Sequence, residues 1–163
     1  VYGAYYGDYY NVREQVMKGT DINTKDRFGN TALMNAIQCN NVKIVKFLIR
    51  NGADVNAKNK TGQTALKLAV FIPLREQDQK DIVEALISAK ADINAQGLDG
   101  MTPLMDALLL QNPDIHMIQT LLKEGANVNI KNKFGKTALD IAKEYNDKDI
   151  IKILKESEKT GLK

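Results

Sequence analysis

The chain has 163 residues, a length that suits one ordinary globular domain or about four to five smaller repeated units. Its hydrophobic fraction of 44% is sufficient for a core, and because aromatic residues make up only 6% and Trp is absent, that core must be aliphatic. The net charge of +3 is too small to indicate a partner, the one cysteine excludes an internal disulfide, and no apolar stretch approaches the roughly 18 to 20 residues of a membrane-spanning helix.

A short motif recurs along the chain. Segments similar to G-A-D-V-N end at Asn23, Asn56, Asn94 and Asn129, so their spacings are 33, 38 and 35 residues. Eight residues after each of these asparagines stands a threonine that opens a T-A-L or T-P-L segment. A repeat of this length with a constant signature is typical of a solenoid in which one supersecondary unit stacks on the next.

Each repeat is predicted to begin with a helix whose first turn is capped by a threonine hydroxyl. These threonines are Thr31, Thr64, Thr102 and Thr137, and Pro103 follows one of them at a position where proline is tolerated. One face of the helix then carries a leucine and, one turn later, an alanine that allows close helix packing. The alanines are Ala36, Ala69, Ala107 and Ala142.

A second helix follows in each repeat. Its predicted caps are Asp8, Asn41 and Asp147, with Asn112 and Pro113 in that role in the fourth unit, while Asp78 and Asp81 flank its start in the third. Apolar residues at i, i+1, i+4 and i+5 predict a helix buried on a broad face. Gly19, Gly52 and Gly125 are predicted to end it in the left-handed conformation, and Lys90 replaces this glycine at a cost of about 1 kcal/mol if that conformation is kept.

The pattern resembles the ankyrin repeat, whose T-P-L-H-x-A core is matched by TALMNA, TALKLA, TPLMDA and TALDIA. The resemblance covers nearly the whole chain. It implies an all-α fold, an ankyrin-repeat solenoid of stacked helix-turn-helix units joined by β-hairpin loops. The histidine of the family is replaced by Met34, Lys67, Met105 and Asp140, so the hydrogen bonds that it makes are absent or remade.

We predict a single ankyrin-repeat domain over residues 1–163. It comprises a partial N-terminal capping repeat at 1–27, inner repeats at 28–60, 61–98 and 99–133, and a C-terminal capping repeat at 134–163. Polar residues at Asn11, Gln15, Lys143 and Lys155 replace apolar residues of the inner repeats, which indicates solvated ends. Because Val1 falls within a predicted helix, we expect further residues upstream of it, and we expect the charged tail at 155–163 to fray.

The resemblance implies a protein-binding function, since ankyrin arrays recognise partners through hairpin tips and first helices on a concave surface. The positions that face this groove, or lie on the tips, are mostly apolar here, and such surface marks an interaction site. The candidate protein-binding residues are Tyr5, Tyr6, Phe28, Phe71, Ile72, Leu98, Met101, Leu109, Leu110, Phe134 and Tyr145. Alternatively, inserted turns fold back and bury Phe71, Ile72, Leu109 and Leu110.

Cationic residues line the predicted hairpins at Lys25, Arg27, Lys58, Lys60, Lys131, Lys133 and Lys136. They form either a solvated edge of the repeat array or a basic border beside the groove. A basic border would favour an acidic partner through faster association. Nucleic acid is not an expected partner, because the net charge is small and no module with stacking aromatics is recognisable. The tyrosines at Tyr2, Tyr5, Tyr6, Tyr9 and Tyr10 are interpreted chiefly as structural, with an interface as the alternative.

Catalysis is not expected, so we predict no catalytic residue, cofactor or metal. His116 is interpreted as a solvent-facing or cap-adjacent residue, Cys39 has no neighbouring histidine in sequence, and no nucleotide, zinc-hydrolase or serine-hydrolase motif occurs.

The predicted function is monomeric, non-catalytic binding of a partner protein in the groove. The alternative is an inhibitor or regulator acting through extended turns at 73–79 and 111–115. The single cysteine favours the cytoplasm, while export stays open because the N-terminus looks truncated.

Overall fold

The computed structural model describes residues 1–160, which contain ten helices and no β-strand. The helices are α1 (Tyr2–Tyr5), α2 (Tyr9–Met17), α3 (Ala32–Gln38), α4 (Val42–Arg50), α5 (Ala65–Phe71), α6 (Glu76–Ser88), α7 (Pro103–Leu108), α8 (Ile115–Lys123), α9 (Ala138–Glu144) and α10 (Lys148–Thr160). The chain divides into two compact units, Val1–Asp92 and Ile93–Lys163, and each of them is built from helix pairs. The repeat boundaries given above stay predictions.

The first unit contains three helix pairs, and the same helix of successive pairs makes contact. Helix α3 packs against both α1 and α5, while α4 packs against both α2 and α6. In the second unit, α7 packs against α9 and α8 contacts α10 in the same way. Within each unit the first helices therefore form one layer and the second helices form another, as stacked repeats require.

The threonine caps are confirmed. Each of the four hydroxyls accepts a hydrogen bond from the backbone N–H three residues later, at 3.3 or 3.4 Å. The predicted cap at Asn112 is wrong: α8 begins at Ile115, and the carboxylate of Asp114 accepts from the N–H of His116 at 2.8 Å. Helix α6 begins at Glu76, so Asp78 lies in its first turn, whereas Asp81 lies beyond it.

The ends of the second helices follow the predicted backbone conformation. Gly19, Gly52 and Gly125 have φ values of 81°, 85° and 95°, and Lys90 keeps the same region with φ 67°. At the other end of the chain α10 continues to Thr160, so residues 155–160, where we expect fraying, are helical. Residues 161–163, which the expectation also covered, lie outside the described residues.

The core is aliphatic, as composition predicted. No aromatic side chain of the described residues is fully buried, whereas most leucines and all alanines of the first helices are. Three buried side chains, a lysine and two methionines, occupy the position of the family histidine. Met34, Lys67 and Met105 are each at most 1% exposed. This aliphatic interior leaves the aromatic residues at the surface, where the candidate site is found.

The asparagine that ends each of the first three of these repeated segments joins one loop to the next. Its side-chain oxygen accepts the N–H of a residue in the following repeat: Asn23 from Asp54 at 2.8 Å, and Asn56 from Asp92 at 2.7 Å. In the second unit, Asn94 accepts from Asn127 in the same way at 2.8 Å. The loops of the described residues are therefore turns linked by side-chain amides rather than paired β-strands.

Candidate protein-binding surface

Aromatic side chains surround a cleft of about 530 Å³ in the first unit. It lies between α1 and the loop at residues 26–30, and α3 contributes polar side chains to its lining. The lining includes Tyr2, Tyr5, Tyr6, Asp26, Arg27, Phe28, Asn35 and Gln38, and we call it the tyrosine cleft. Tyr6 is 77% exposed and Phe28 is 57% exposed, so these rings present large apolar faces to solvent.

A carboxylate holds the loop of the tyrosine cleft in place. One oxygen of Asp26 accepts the N–H groups of Phe28 and Asn30 at 2.8 and 2.9 Å, and the other accepts from the side-chain amide of Asn35 at 3.0 Å. Burial raises the pKa of Asp26, but the hydrogen bonds from Asn35, Asn30 and Phe28, together with the nearby Arg27 charge, lower that pKa overall. An ionised side chain therefore fixes the loop, and the Phe28 ring stays exposed to solvent.

Cations lie beside this loop. The guanidinium of Arg27 lies 4.7 Å from the ring centroid of Phe28, and the ammonium of Lys25 donates to the backbone oxygen of Lys58 at 2.9 Å. Lys58 and Lys60 are also exposed in this unit. In the second unit Lys131 and Lys133 are exposed, whereas Lys136 is half-buried and pairs with Glu144 at 2.6 Å. Each unit thus has cations next to exposed aromatic residues.

The inserted segment after α5 does not cover the apolar residues at the end of that helix. Phe71 is 50% exposed and Ile72 is half-buried. Hydrogen bonds instead hold the segment against α5. The side-chain amide of Gln79 donates to the backbone oxygens of Ala69 and Val70 at 2.9 and 3.2 Å. The fold-back alternative therefore does not hold for Phe71.

The second unit carries its own exposed apolar residues. Phe134 is 76% exposed, and Leu98, Leu109 and Tyr145 are exposed as well. Leu110 is half-buried and lines a small cavity of about 160 Å³ together with Pro113, Tyr145 and other residues. The inserted turn thus covers Leu110 in part and leaves Leu109 accessible.

Met101 does not belong to the exposed surface. It is only 6% exposed, so its predicted position on an exposed loop edge is wrong. The residue stands directly before a capping threonine, at the base of the loop, where the first unit has the equally buried Asn30. The side-chain amide of Asn132 donates to its sulfur at 3.2 Å. The sequence gives no signal for this inward position, because the burial of the corresponding Asn30 is visible only in the structure.

The N-terminal tyrosines have different environments. Tyr9 is half-buried, with its ring centroid 5.5 Å from that of Phe47 and the ammonium of Lys43 at 4.0 Å. Tyr2, Tyr5, Tyr6 and Tyr10 are exposed, so burial supports the structural interpretation for Tyr9 alone. Sequence analysis missed Asp26 and Asn35 as parts of the site, although the spacing of Asp26 before Gly29 is a signal for a side-chain-stabilised turn.

The side chains most often used in catalysis or metal binding include the one cysteine and the one histidine of this chain. Cys39 is exposed, its thiol donates to the backbone oxygen of Tyr5 at 2.7 Å, and burial raises its pKa, which disfavours the thiolate. His116 is exposed. Residues 1–160 contain no group of three or more His, Cys, Asp or Glu side chains that could hold a metal ion. In the same residues no helix has the length and apolar character to cross a membrane.

A family model described as ankyrin repeats (3 copies) matches residues 1–96 and 73–162. The chain belongs to the ankyrin-repeat family. This confirms the predicted family and its all-α fold class. Ankyrin repeats are generally protein–protein interaction modules and generally non-catalytic, which indicates a protein partner. A comparison with curated proteins finds no match.

Proposed function

We propose that this ankyrin-repeat chain is a non-catalytic module that binds a segment of another protein through the loop tips and the ends of its first helices. The observation that carries the proposal is the exposure of apolar side chains at these places in both units. These side chains are Tyr5, Tyr6, Phe28, Phe71, Leu98, Leu109, Phe134 and Tyr145. Soluble proteins bury most such area, and aromatic residues with open faces contribute strongly to binding energy.

The charges beside these aromatics favour an acidic partner. Exposed cations such as Arg27, Lys60 and Lys133 raise the rate at which an acidic segment associates. A nucleic acid is a poorer fit, because the net charge is only +3 and the exposed rings lie at loop tips rather than on a basic sheet. The proposed module acts as a monomer.

An affinity capture experiment tests the proposal. The chain is immobilised as wild type, as the double variant Tyr6→Ala/Phe28→Ala, and as the control Tyr10→Ala/Met17→Ala. The control removes a tyrosine and another exposed apolar residue on α2, away from the tyrosine cleft. We expect specific partners to be retained by wild type and control and lost from the double variant. Equal retention by all three would contradict the proposed surface.

The alternative, an inhibitor or regulator acting through the inserted segments, is favoured by the exposure of Pro73, Arg75 and Ile115. Against it, residues 76–79 already belong to α6, and Asp78 accepts from Asn40 of the preceding repeat at 2.8 Å. Much of the segment therefore packs on the protein. The variant Pro73→Gly/Arg75→Ala tests the first of the two inserted segments: it retains the partner if the loop tips bind it and loses the partner if this segment does.

A further inference from the structure

We propose that Gln79 is a positioning residue of the proposed binding surface, because its side-chain amide closes the end of α5 and thereby fixes the ring of Phe71 on that surface. This inference rests on the proposed function, since Phe71 is one of the exposed side chains that carry it. Phe71 is the last residue of α5, and Gln79 lies in the first turn of α6. Both belong to the first unit, in which these two helices pack against each other.

The end of α3 shows how a first helix is closed where no insertion follows it. The chain turns through Asn40, whose φ is 52°, and the N–H of this residue donates to the backbone oxygen of Ile37 at 2.9 Å. The N–H of Asn41 donates to the backbone oxygen of Ala36, also at 2.9 Å. The backbone of the turn therefore satisfies two carbonyl groups that the end of a helix leaves without intrahelical partners.

The end of α5 is closed in a different way. Ile72 follows the helix directly and is extended, with φ −76° and ψ 132°. The carbonyl groups at the same two positions of this repeat are those of Ala69 and Val70, and both accept from the side-chain amide of Gln79, at 2.9 and 3.2 Å. The same amide lies 3.5 Å from the backbone oxygen of Ile72. One side chain thus replaces the backbone turn.

The insertion explains why a side chain takes this role. The repeated asparagines on either side of it are 38 residues apart rather than 33, and α6 has 13 residues where α4 has 9, so α6 begins one turn earlier. With the apolar positions of the two helices aligned, Gln79 corresponds to Asn41. The N–H of Gln79 is bound within α6, to the backbone oxygen of Arg75 at 2.9 Å. Only its side chain is therefore free to bind the end of α5.

The Gln79 amide contacts the backbone on both sides of Phe71. It donates to the oxygen of Val70, which precedes the ring, and lies beside that of Ile72, which follows it. Because Phe71 is 50% exposed, packing restrains its ring less than it would restrain a buried one, and the position of the ring depends on this backbone. A ring that is already held in place loses less conformational entropy when a partner binds, which favours affinity.

Hydrogen exchange of the backbone amides tests the positioning. Gln79→Met removes the amide and keeps the length of the side chain. Gln77→Met is the matched control, since it makes the same change on an exposed glutamine of α6 whose amide binds Asp81 within that helix. We expect the N–H of Ile72, which donates to Leu68 at 3.0 Å, to exchange at least about tenfold faster in Gln79→Met than in the control. Equal exchange in the two variants overturns the inference.

The amides of α9, in the second unit, separate a local effect from a general loss of stability. We expect their exchange in Gln79→Met to stay at the rate of the control, because the bonds that are lost lie at the end of α5. If exchange accelerates by the same factor in α5 and α9, Gln79 only stabilises the fold and its positioning role is overturned.

A fluorescent reporter follows the ring position itself. The chain contains no tryptophan, so Phe71→Trp introduces a single one at this site. We expect its emission anisotropy to be lower together with Gln79→Met than together with Gln77→Met. Combined with Gln79→Glu, the anisotropy should be low at pH 7, where the carboxylate repels the backbone oxygens, and should rise near about pH 4, where protonation restores one donor. Parallel pH curves for Gln79→Glu and Gln79→Met overturn the role of the hydrogen bonds.

Peptide display relates the held ring to binding. Dodecapeptides are selected from a random library on the wild-type chain, and those that no longer bind Phe71→Ala are kept. We expect them to bind Gln79→Met at least about threefold more weakly than Gln77→Met. Equal binding to these two variants overturns the positioning role and leaves the proposed function standing. If no selected peptide depends on Phe71, the proposed function fails at this residue and the inference fails with it, whatever the exchange rates show.

Discussion

The asparagine of the D-x-N segment explains why this short motif recurs. Asn56 shows its role most fully: its oxygen accepts the N–H of Asp92, and its amide donates to the backbone oxygen of Lys90 at 3.1 Å. Asn94 makes the equivalent pair of bonds to Asn127 and Gly125 in the second unit. A planar amide that donates and accepts at once can satisfy two backbone groups of the next repeat, and aspartate cannot.

Replacing Asn56 by alanine should therefore destabilise the protein. We expect Asn56→Ala to lower the free energy of unfolding by about 1 to 2 kcal/mol, because a backbone donor and a backbone acceptor lose their partners together. Asn129→Ala is the matched control, since this asparagine ends the last such segment and is exposed. Urea denaturation at pH 7 measures both variants, and equal losses would refute the linking role of the amide.

The charge of Asp26 should give a pH-dependent contribution to stability. Its pKa is lower in the folded protein than its ordinary value of 3.8, so the contribution is present above pH 3.8 and is lost as the pH falls through the lowered value. We expect Asp26→Asn to cost about 1 kcal/mol near pH 6, because hydrogen bonds to a charged acceptor are stronger, and clearly less near pH 3. Denaturation of both proteins at the two pH values measures this difference, which a pH-independent cost would contradict.

The helix ends show how the same backbone turn is made with different residues. Glycine has the positive φ at the end of α2, α4 and α8, whereas Lys90 has it after α6 at 67°. The shorter turns after α3 and α9 use Asn40 and Asn146, with φ values of 52° and 54°. Asparagine tolerates this region better than most residues, and lysine does not, so the strain is concentrated at Lys90.

Replacing Lys90 by glycine should stabilise the protein. We expect Lys90→Gly to raise the free energy of unfolding by about 0.5 to 1 kcal/mol, since the left-handed strain is removed while the greater freedom of the unfolded chain offsets part of the gain. The neighbouring Ala89 has φ −83°, where glycine brings no relief, so Ala89→Gly should be destabilising. Thermal unfolding of the two variants should give shifts of opposite sign; shifts of the same sign would refute the strain at Lys90.

The helices were predictable because their signals are local. A threonine cap such as Thr64 and a helix-ending glycine such as Gly52 act within a few residues, so spacing alone identified them. The start of α8 was missed because Asn112 followed by Pro113 matches a cap and first turn, and only the folded chain shows that Asp114 caps the helix. Met101 was misplaced because its burial depends on the turn before it, a property of loop geometry that side-chain polarity does not reveal.

At the scale of the whole molecule, the buried side chains and the exposed apolar side chains are of different chemical types. The leucines of the first helices, Leu33, Leu66 and Leu104, are almost completely buried. The aromatic rings at the loop tips and helix ends are exposed, and much of the loop structure below them is held by polar hydrogen bonds, as at Asp26. Folding and the proposed recognition therefore depend on largely separate sets of side chains, so it should be possible to change one with little effect on the other.

The triple variant Phe28→Ala/Phe134→Ala/Tyr145→Ala tests this separation. We expect it to keep its helical circular dichroism and to lose no more than about 0.5 kcal/mol of stability per site, since exposed substitutions rarely cost more. Loss of the Arg27 contact with Phe28 is part of that cost. By contrast, Leu66→Ala should cost about 2 to 5 kcal/mol, because it leaves a cavity among residues that cannot collapse to fill it. Thermal melts of the two proteins give the comparison. If the triple variant melts as early as Leu66→Ala, the three aromatic side chains support the fold, and the binding surface must be sought elsewhere.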